Sequence, residues 1–139
     1  MFIHQKHLLG QAYCLRHLGE LNRDAPQIEE ARTLFQQVGE TRNVGHSHQS
    51  LGGFALSDGR LDEARLHYEK SMDCFRQVHA YGEEARSLMG LAELALRCAQ
   101  IPEAREQFTR ALTLFQQAGE EESVRKCQAQ LAKLEGATD

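Results

Sequence analysis

Two decamers, ARTLFQQVGE at Ala31 to Glu40 and ALTLFQQAGE at Ala111 to Glu120, agree at eight positions and begin 80 residues apart. Self-similarity at a fixed spacing constrains a fold more than composition does, because it marks chains built from copies of one unit. A related string, CFRQVHAYGEEARS, lies between the two, and Phe75 stands 40 residues after Phe35 and 40 before Phe115. LDEAR at Leu61 recurs as IPEAR at Ile101, and SLGGFAL at Ser50 recurs in pattern as GLAELAL at Gly90. The repeating unit is thus about 40 residues long.

Each unit reads as two helices. In the third, Leu88, Leu91, Ala92 and Ala95 fall at i, i+3, i+4 and i+7, one buried stripe of an inner helix. After a break near Gln100, Pro102 opens an outer helix with Ala104, Phe108, Ala111, Leu112 and Phe115 on its apolar side, ending near Gly119. The second unit places Leu51, Gly52 and Ala55 on the inner helix and Ala64, Tyr68 and Ser71 on the outer, with Gly59 at the turn. The first has Leu15, Leu18 and Gly19, then Ile28, Ala31 and Phe35, with Asp24 and Pro26 at the second helix start. Ala31 to Phe35 spans 4 steps where Ala64 to Phe75 spans 11, so the first outer helix is expected to lack seven residues between these points. Seven residues are about two turns, and their loss rotates the stripe by only ~20°. Alternating strand patterns are absent, so the fold class is all-α.

A single two-helix unit cannot bury its apolar face, whereas three in series cover one another. The expected units are about 5–40, 41–80 and 81–120 in a single domain spanning 1–139, with a capping helix at 121–135. Gly19, Gly52 and Ala92 occupy equivalent inner-helix points and let backbones approach; larger residues there would cost about 1–3 kcal/mol each in overpacking. Val124, Cys127, Leu131 and Leu134 give the last helix one dry face, opposite the pairs Glu121 to Arg125 and Glu122 to Lys126.

These residues resemble the tetratricopeptide repeat family, whose pattern is a large apolar residue, Leu-Gly/Ala, then Ala, an aromatic and a small residue. The match runs over about residues 8–135 through Leu15, Leu18, Gly19, Ala31 and Phe35, then Leu51, Gly52, Ala64, Tyr68 and Ser71, then Leu88, Leu91, Ala92, Ala104, Phe108 and Ala111. Ala31 and Ala64 are 33 apart, while the 40 between Ala64 and Ala104 resembles a longer-helix variant found in sensor arrays of signal-transduction ATPases and transcription regulators and in cell-polarity adaptors. The resemblance implies a right-handed superhelical solenoid of antiparallel helix pairs whose inner helices line a concave groove for peptides or partner helices.

Carried over by position, the groove residues are Tyr13, Arg16 and Glu20, then His46, Gln49 and Gly53, then Arg86, Met89 and Glu93. Each trio centres roughly 140° around its helix from the Leu-Leu-Gly/Ala stripe, away from that contact surface. The set offers an aromatic ring, a thioether, two guanidinium forks and two carboxylates, which suits a protein or peptide partner of unknown identity. In the carboxylate clamp that grips chaperone tails, Arg16 and Arg86 match in kind, but Glu20, Ser50 and Gly90 take the other places, so a chaperone co-factor is not expected.

Composition narrows the remaining classes. A formal charge of −4 and a pI near 6.0 lack the basic excess that nucleic acid as main partner requires. No apolar run approaches the ~18 residues of a membrane span, and the opening MFIHQKHLLG lacks the order of a secretory signal, so a cytoplasmic location and no membrane partner are expected. Cys14, Cys74, Cys98 and Cys127 form no CxxC and read as small core hydrophobes. His4 with His7 and His46 with His48 have no completing thiol or carboxylate in sequence, so the histidines read as unliganded surface residues and no metal is expected. No Gly-rich phosphate loop, HExxH or nucleophile elbow occurs, so neither a cofactor nor a catalytic residue is expected. The function expected is a non-catalytic interaction scaffold. The alternative is a structural array: a homodimer through the N-terminal helix, where Phe2, Ile3, Leu8 and Leu9 present apolar side chains, or a sensor or linker module of a larger regulatory protein.

Overall fold

The computed structural model describes residues 2–136; the side chains of Phe2 and Ile3, part of the apolar opening, lie outside the described residues. Seven helices and no strand occur among the described residues: α1 (Phe2–Asn22), α2 (Ala25–Gln37), α3 (Thr41–Ser57), α4 (Leu61–Gln77), α5 (Tyr81–Arg97), α6 (Ile101–Ala118) and α7 (Glu121–Glu135). Contacts gather them into two compact units, Met1–Val78 and His79–Asp139.

In the first unit α1 pairs with α2 and α3 with α4, while α2 also packs on α3. The pairs interlock small residues with large ones. A Cβ on Gly19 would lie 2.7 Å from Cδ1 of Ile28, one on Gly45 2.8 Å from the Phe75 ring, and one on Gly52 3.1 Å from the Tyr68 ring. Gly19 and Gly52 do what the sequence pattern demands of them. Gly45 adds a second close approach, one heptad earlier on the same helix, and Ala12, buried with Phe35 and Val44, holds that register on α1. In the second unit α6 packs on both α5 and α7, and Ala92, Ala95, Ala104, Phe108 and Leu134 form one buried cluster. Phe35, Phe75 and Phe115, the markers of the 40-residue spacing, are all buried.

The shortening of the first outer helix falls elsewhere than expected. Ile28 meets Gly19 as Tyr68 meets Gly52, so Ala31 is the counterpart of Ser71, not of Ala64. The seven residues are missing upstream of Ile28, from the end of the first helix, the turn and the opening turn of α2. Asp24 then caps α2 directly, accepting from the Gln27 amide at 3.3 Å.

Two further expectations are corrected. Leu18, read as core, is 47% exposed, although its counterpart Leu51 is buried. The physical reason is that α3 packs against both α2 and α4, whereas α1 has α2 as its one extensive neighbour. Cys14 is exposed on α1, and Cys98 is exposed at the C-cap of α5; Cys127 alone is fully buried, with Cys74 half-buried. Leu9, by contrast, is half-covered by the cluster of Ala12, Ala31, Phe35 and Val44, so the first unit's own residues shelter that part of the opening helix.

Every turn between helices contains one left-handed residue: Arg23, Gly39, Gly59, His79, Ala99 and Gly119, with φ between 51° and 78°. Three are glycines and legible as stops. The others are not, since non-glycine residues pay sterically for that conformation. The amide of the residue after the left-handed one then returns to a carbonyl of the preceding helix's last turn, as in Glu40 to Phe35 (2.9 Å), Arg60 to Ala55 (2.8 Å), Gln100 to Ala95 (2.9 Å) and Glu120 to Phe115 (3.0 Å). We expect Ala99→Gly to raise stability by about 0.5–1 kcal/mol and Gly59→Ala to lower it by about 1 kcal/mol, read as opposite shifts of the urea midpoint at constant m-value.

Candidate functional site

The repeated decamer turns out to be a device for building the inner-helix surface. Its last two residues, Gly39-Glu40 and Gly119-Glu120, form the turns into α3 and α7, with φ of 76° and 72° at the glycines. Each glutamate is the N-cap residue of the following inner helix and accepts from the side chain three positions on: Asn43 Nδ2 to Glu40 Oε2 at 3.5 Å, Ser123 Oγ to Glu120 Oε1 at 3.2 Å. The middle string carries Ala80 at this point and cannot repeat the arrangement.

In the first unit Asn43 joins α3 to the residues expected on α1. It accepts from Arg16 Nη1 at 2.7 Å and donates to the Tyr13 hydroxyl at 3.0 Å. The Arg16 guanidinium lies 5.6 Å from the Tyr13 ring centre and 5.8 Å from that of Phe35, while Tyr13 meets Phe35 edge-on at 5.2 Å. Arg16 Nε lies 3.4 Å from Glu20, and Ser50 Oγ donates to Glu20 at 3.4 Å. Tyr13, Arg16 and Glu20 are therefore brought together, but Arg16 is mostly enclosed (its side chain 16% exposed) and acts as a brace between α1 and α3. His46 sits edge-on to Phe75 at 5.1 Å; Gln49 and Gly53 are half-buried on the same helix.

In the second unit Arg86 donates to Glu120 at 2.8 Å, and Met89 sulfur lies 3.4 Å from the Cys127 thiol. A Cβ on Gly82 would collide with the Glu120 carboxylate, so the glycine leaves room for the glutamate that holds Arg86. Arg86 and Met89, with Phe115, Ser123 and Lys126, line an open cavity of about 300 Å³. Glu93 points elsewhere on α5, toward Arg97 at 3.4 Å.

Asn43 and Ser123 were not singled out from the sequence. The signal was present: both stand three residues after the decamer's glutamate, 80 residues apart. His48, expected at the surface with the other histidines, is buried, its Nδ1 3.1 Å from that of His67. Among the described residues no three His, Cys, Asp or Glu side chains are grouped to hold a metal ion. Burial pushes the Cys127 thiol up, and burial followed by the Asp73 charge does the same for Cys74, which makes neither an activated nucleophile. No described helix is long and apolar enough to cross a membrane.

Consecutive helix pairs with small-to-large interlocking define a helical-repeat module of the solenoid class. A tetratricopeptide repeat model matches residues 44–117, more than half of the chain, and the chain belongs to that family. No match was found among curated proteins. Members of the family generally mediate protein–protein interactions and are typically non-catalytic.

Asn43→Ala should remove the joint between α1 and α3, at a cost of about 1–2 kcal/mol. Amide exchange should then quicken in α1 while α5 to α7 keep their protection, a pattern that hydrogen–deuterium exchange resolves.

Proposed function

We propose that this protein is an interaction scaffold that binds a peptide or partner helix along its inner helices, within a single repeat domain. The observation that carries this reading is the cavity in the second unit. Arg86 and Met89 share it with an aromatic wall from Phe115 and the ammonium of Lys126. An adaptable thioether beside a phenyl ring accepts an apolar side chain, and the rim cations attract a carboxylate next to it. Pairing of Arg86 with Glu120 fixes the guanidinium before a partner arrives, which lowers the ordering cost of binding. Within the first unit, Tyr13, Arg16 and Asn43 form a pre-set polar ledge between α1 and α3.

The test is capture of partners from native lysate by the wild-type protein and by an Arg86→Ala, Met89→Ala, Lys126→Ala variant of unchanged helicity. Partner recovery should fall at least about tenfold, the loss of roughly 1.4 kcal/mol or more. An outer-surface variant, Glu106→Ala with Arg110→Ala, should capture as wild type does. Equal recovery by all three would remove this surface from consideration.

Self-association has its own observation. Cys14, Leu18 and Leu21 follow one another at i, i+4 and i+7 on α1, and all are exposed, Leu21 at 82%. This reading expects light scattering to report a dimer at high protein concentration and a monomer after Leu18→Glu with Leu21→Glu. A wild-type mass that stays monomeric across a hundredfold concentration range rejects it.

A further inference from the structure

The histidine pair of the first unit takes no part in the inner-helix surface. His48 on α3 and His67 on α4 meet nitrogen to nitrogen, Nδ1 to Nδ1 at 3.1 Å with ring centroids 5.3 Å apart. His48 is only 6% exposed, so this contact is a link across the α3–α4 pair and not a surface accident. The rings border a cavity of about 320 Å³ lined also by Arg32, Lys70 and Asp73.

A hydrogen bond between two such nitrogens requires one to carry a proton and the other to be bare. Charging both rings puts a proton on both Nδ1 atoms and sets two donors, each on a positive ring, face to face at hydrogen-bond distance. We propose that the His48–His67 contact is an acid-sensitive latch that holds α3 to α4 at neutral pH and opens when both imidazoles are charged.

The surroundings fix the direction of the effect. From α2, Arg32 and Glu29 face the pair, and they are bound to each other at 2.9 Å, so the carboxylate's attraction for an imidazolium is offset. From α4, Lys70 disfavours charge on both rings and Glu63 favours it on His67; Asp73 lines the same cavity. Burial is the largest influence on each ring, and for His48 it is joined by the charges of His67, Arg32 and Lys70. Together they push His48 down to about 4, and His67 is lowered as well. The folded protein therefore binds fewer protons than the unfolded chain below pH 6.5, and acid favours unfolding. The stabilising contribution is complete above pH 6.5 and is lost progressively as the pH falls toward 4.

The experiment is urea denaturation of the full chain at pH 7.5 and pH 5.0, where carboxylates stay mostly ionised, for wild type and for His48→Gln with His67→Gln. For wild type the unfolding constant should rise about 10- to 30-fold on going to pH 5.0, and for the variant less than about threefold. Equal pH dependence in the two proteins overturns the latch. Should the variant fail to fold, the ring protons of the wild type decide by NMR titration. His48 then stays neutral down to below pH 5; a His48 midpoint near 6.5 overturns the proposal.

Discussion

Helix pairs in the first unit come together because a missing side chain on one helix receives a ring or branched chain from the other. At Gly19 and Gly45 an added Cβ would stand 2.7 Å from Ile28 and 2.8 Å from Phe75, where something must shift, and at Gly52 it would stand a tight 3.1 Å from Tyr68. Close-packed interiors pass such a mismatch on as a shift of the whole element. The inner-helix surface depends on the same interlock. Tyr13 reaches Asn43 only because α1 lies tight against α2 through Gly19 and Ala12, with Phe35 filling the space under the Tyr13 ring.

Much of this was legible because apolar periodicity and repeat spacing report the same buried stripe. Leu88, Leu91, Ala92, Ala95, Ala104, Phe108, Ala111 and Phe115 are all buried, as their spacing demands. Failures cluster where a residue's fate depends on a neighbour beyond its own helix pair. Leu18 has the sequence context of Leu51 but lacks a second extensive neighbour for its helix. His48 and Cys98 could not be sorted from sequence either: one lies under α4 and the other ends a helix, and residue type alone favours the opposite assignments. Non-glycine residues at left-handed turns, Arg23, His79 and Ala99, are silent in sequence because the conformation is imposed by the helices on either side.

The polar side of the inner helices was partly legible. Position on the helix brings Tyr13, Arg16 and Glu20 together, and brings Arg86 and Met89 to a common cavity. What position does not reveal is how each charge is satisfied. Arg16 looked like a free fork for a carboxylate, but Asn43 and two aromatic rings absorb it. Arg86 is half exposed and keeps capacity beyond its one carboxylate partner. A guanidinium carries five donors in a fixed plane, so one bond to Glu120 orients it without exhausting it.

The near-identity of the two decamers follows from these duties combined. Phe packs the core, Gly takes the left-handed turn, and Glu begins the next helix and organises polar side chains within its own unit, Asn43 in one and Ser123 and Arg86 in the other. The continuation into α7 is informative. Cys127 stands 40 residues after Ser87 and 80 after Ser47, and all three are fully buried. The last helix thus carries the burial pattern of the inner helices. It follows that the cavity beside Arg86 and Met89 lies between two inner-type helices. The decamer before α7 supplies the left-handed Gly119 and the N-cap Glu120 that set this helix beside α5.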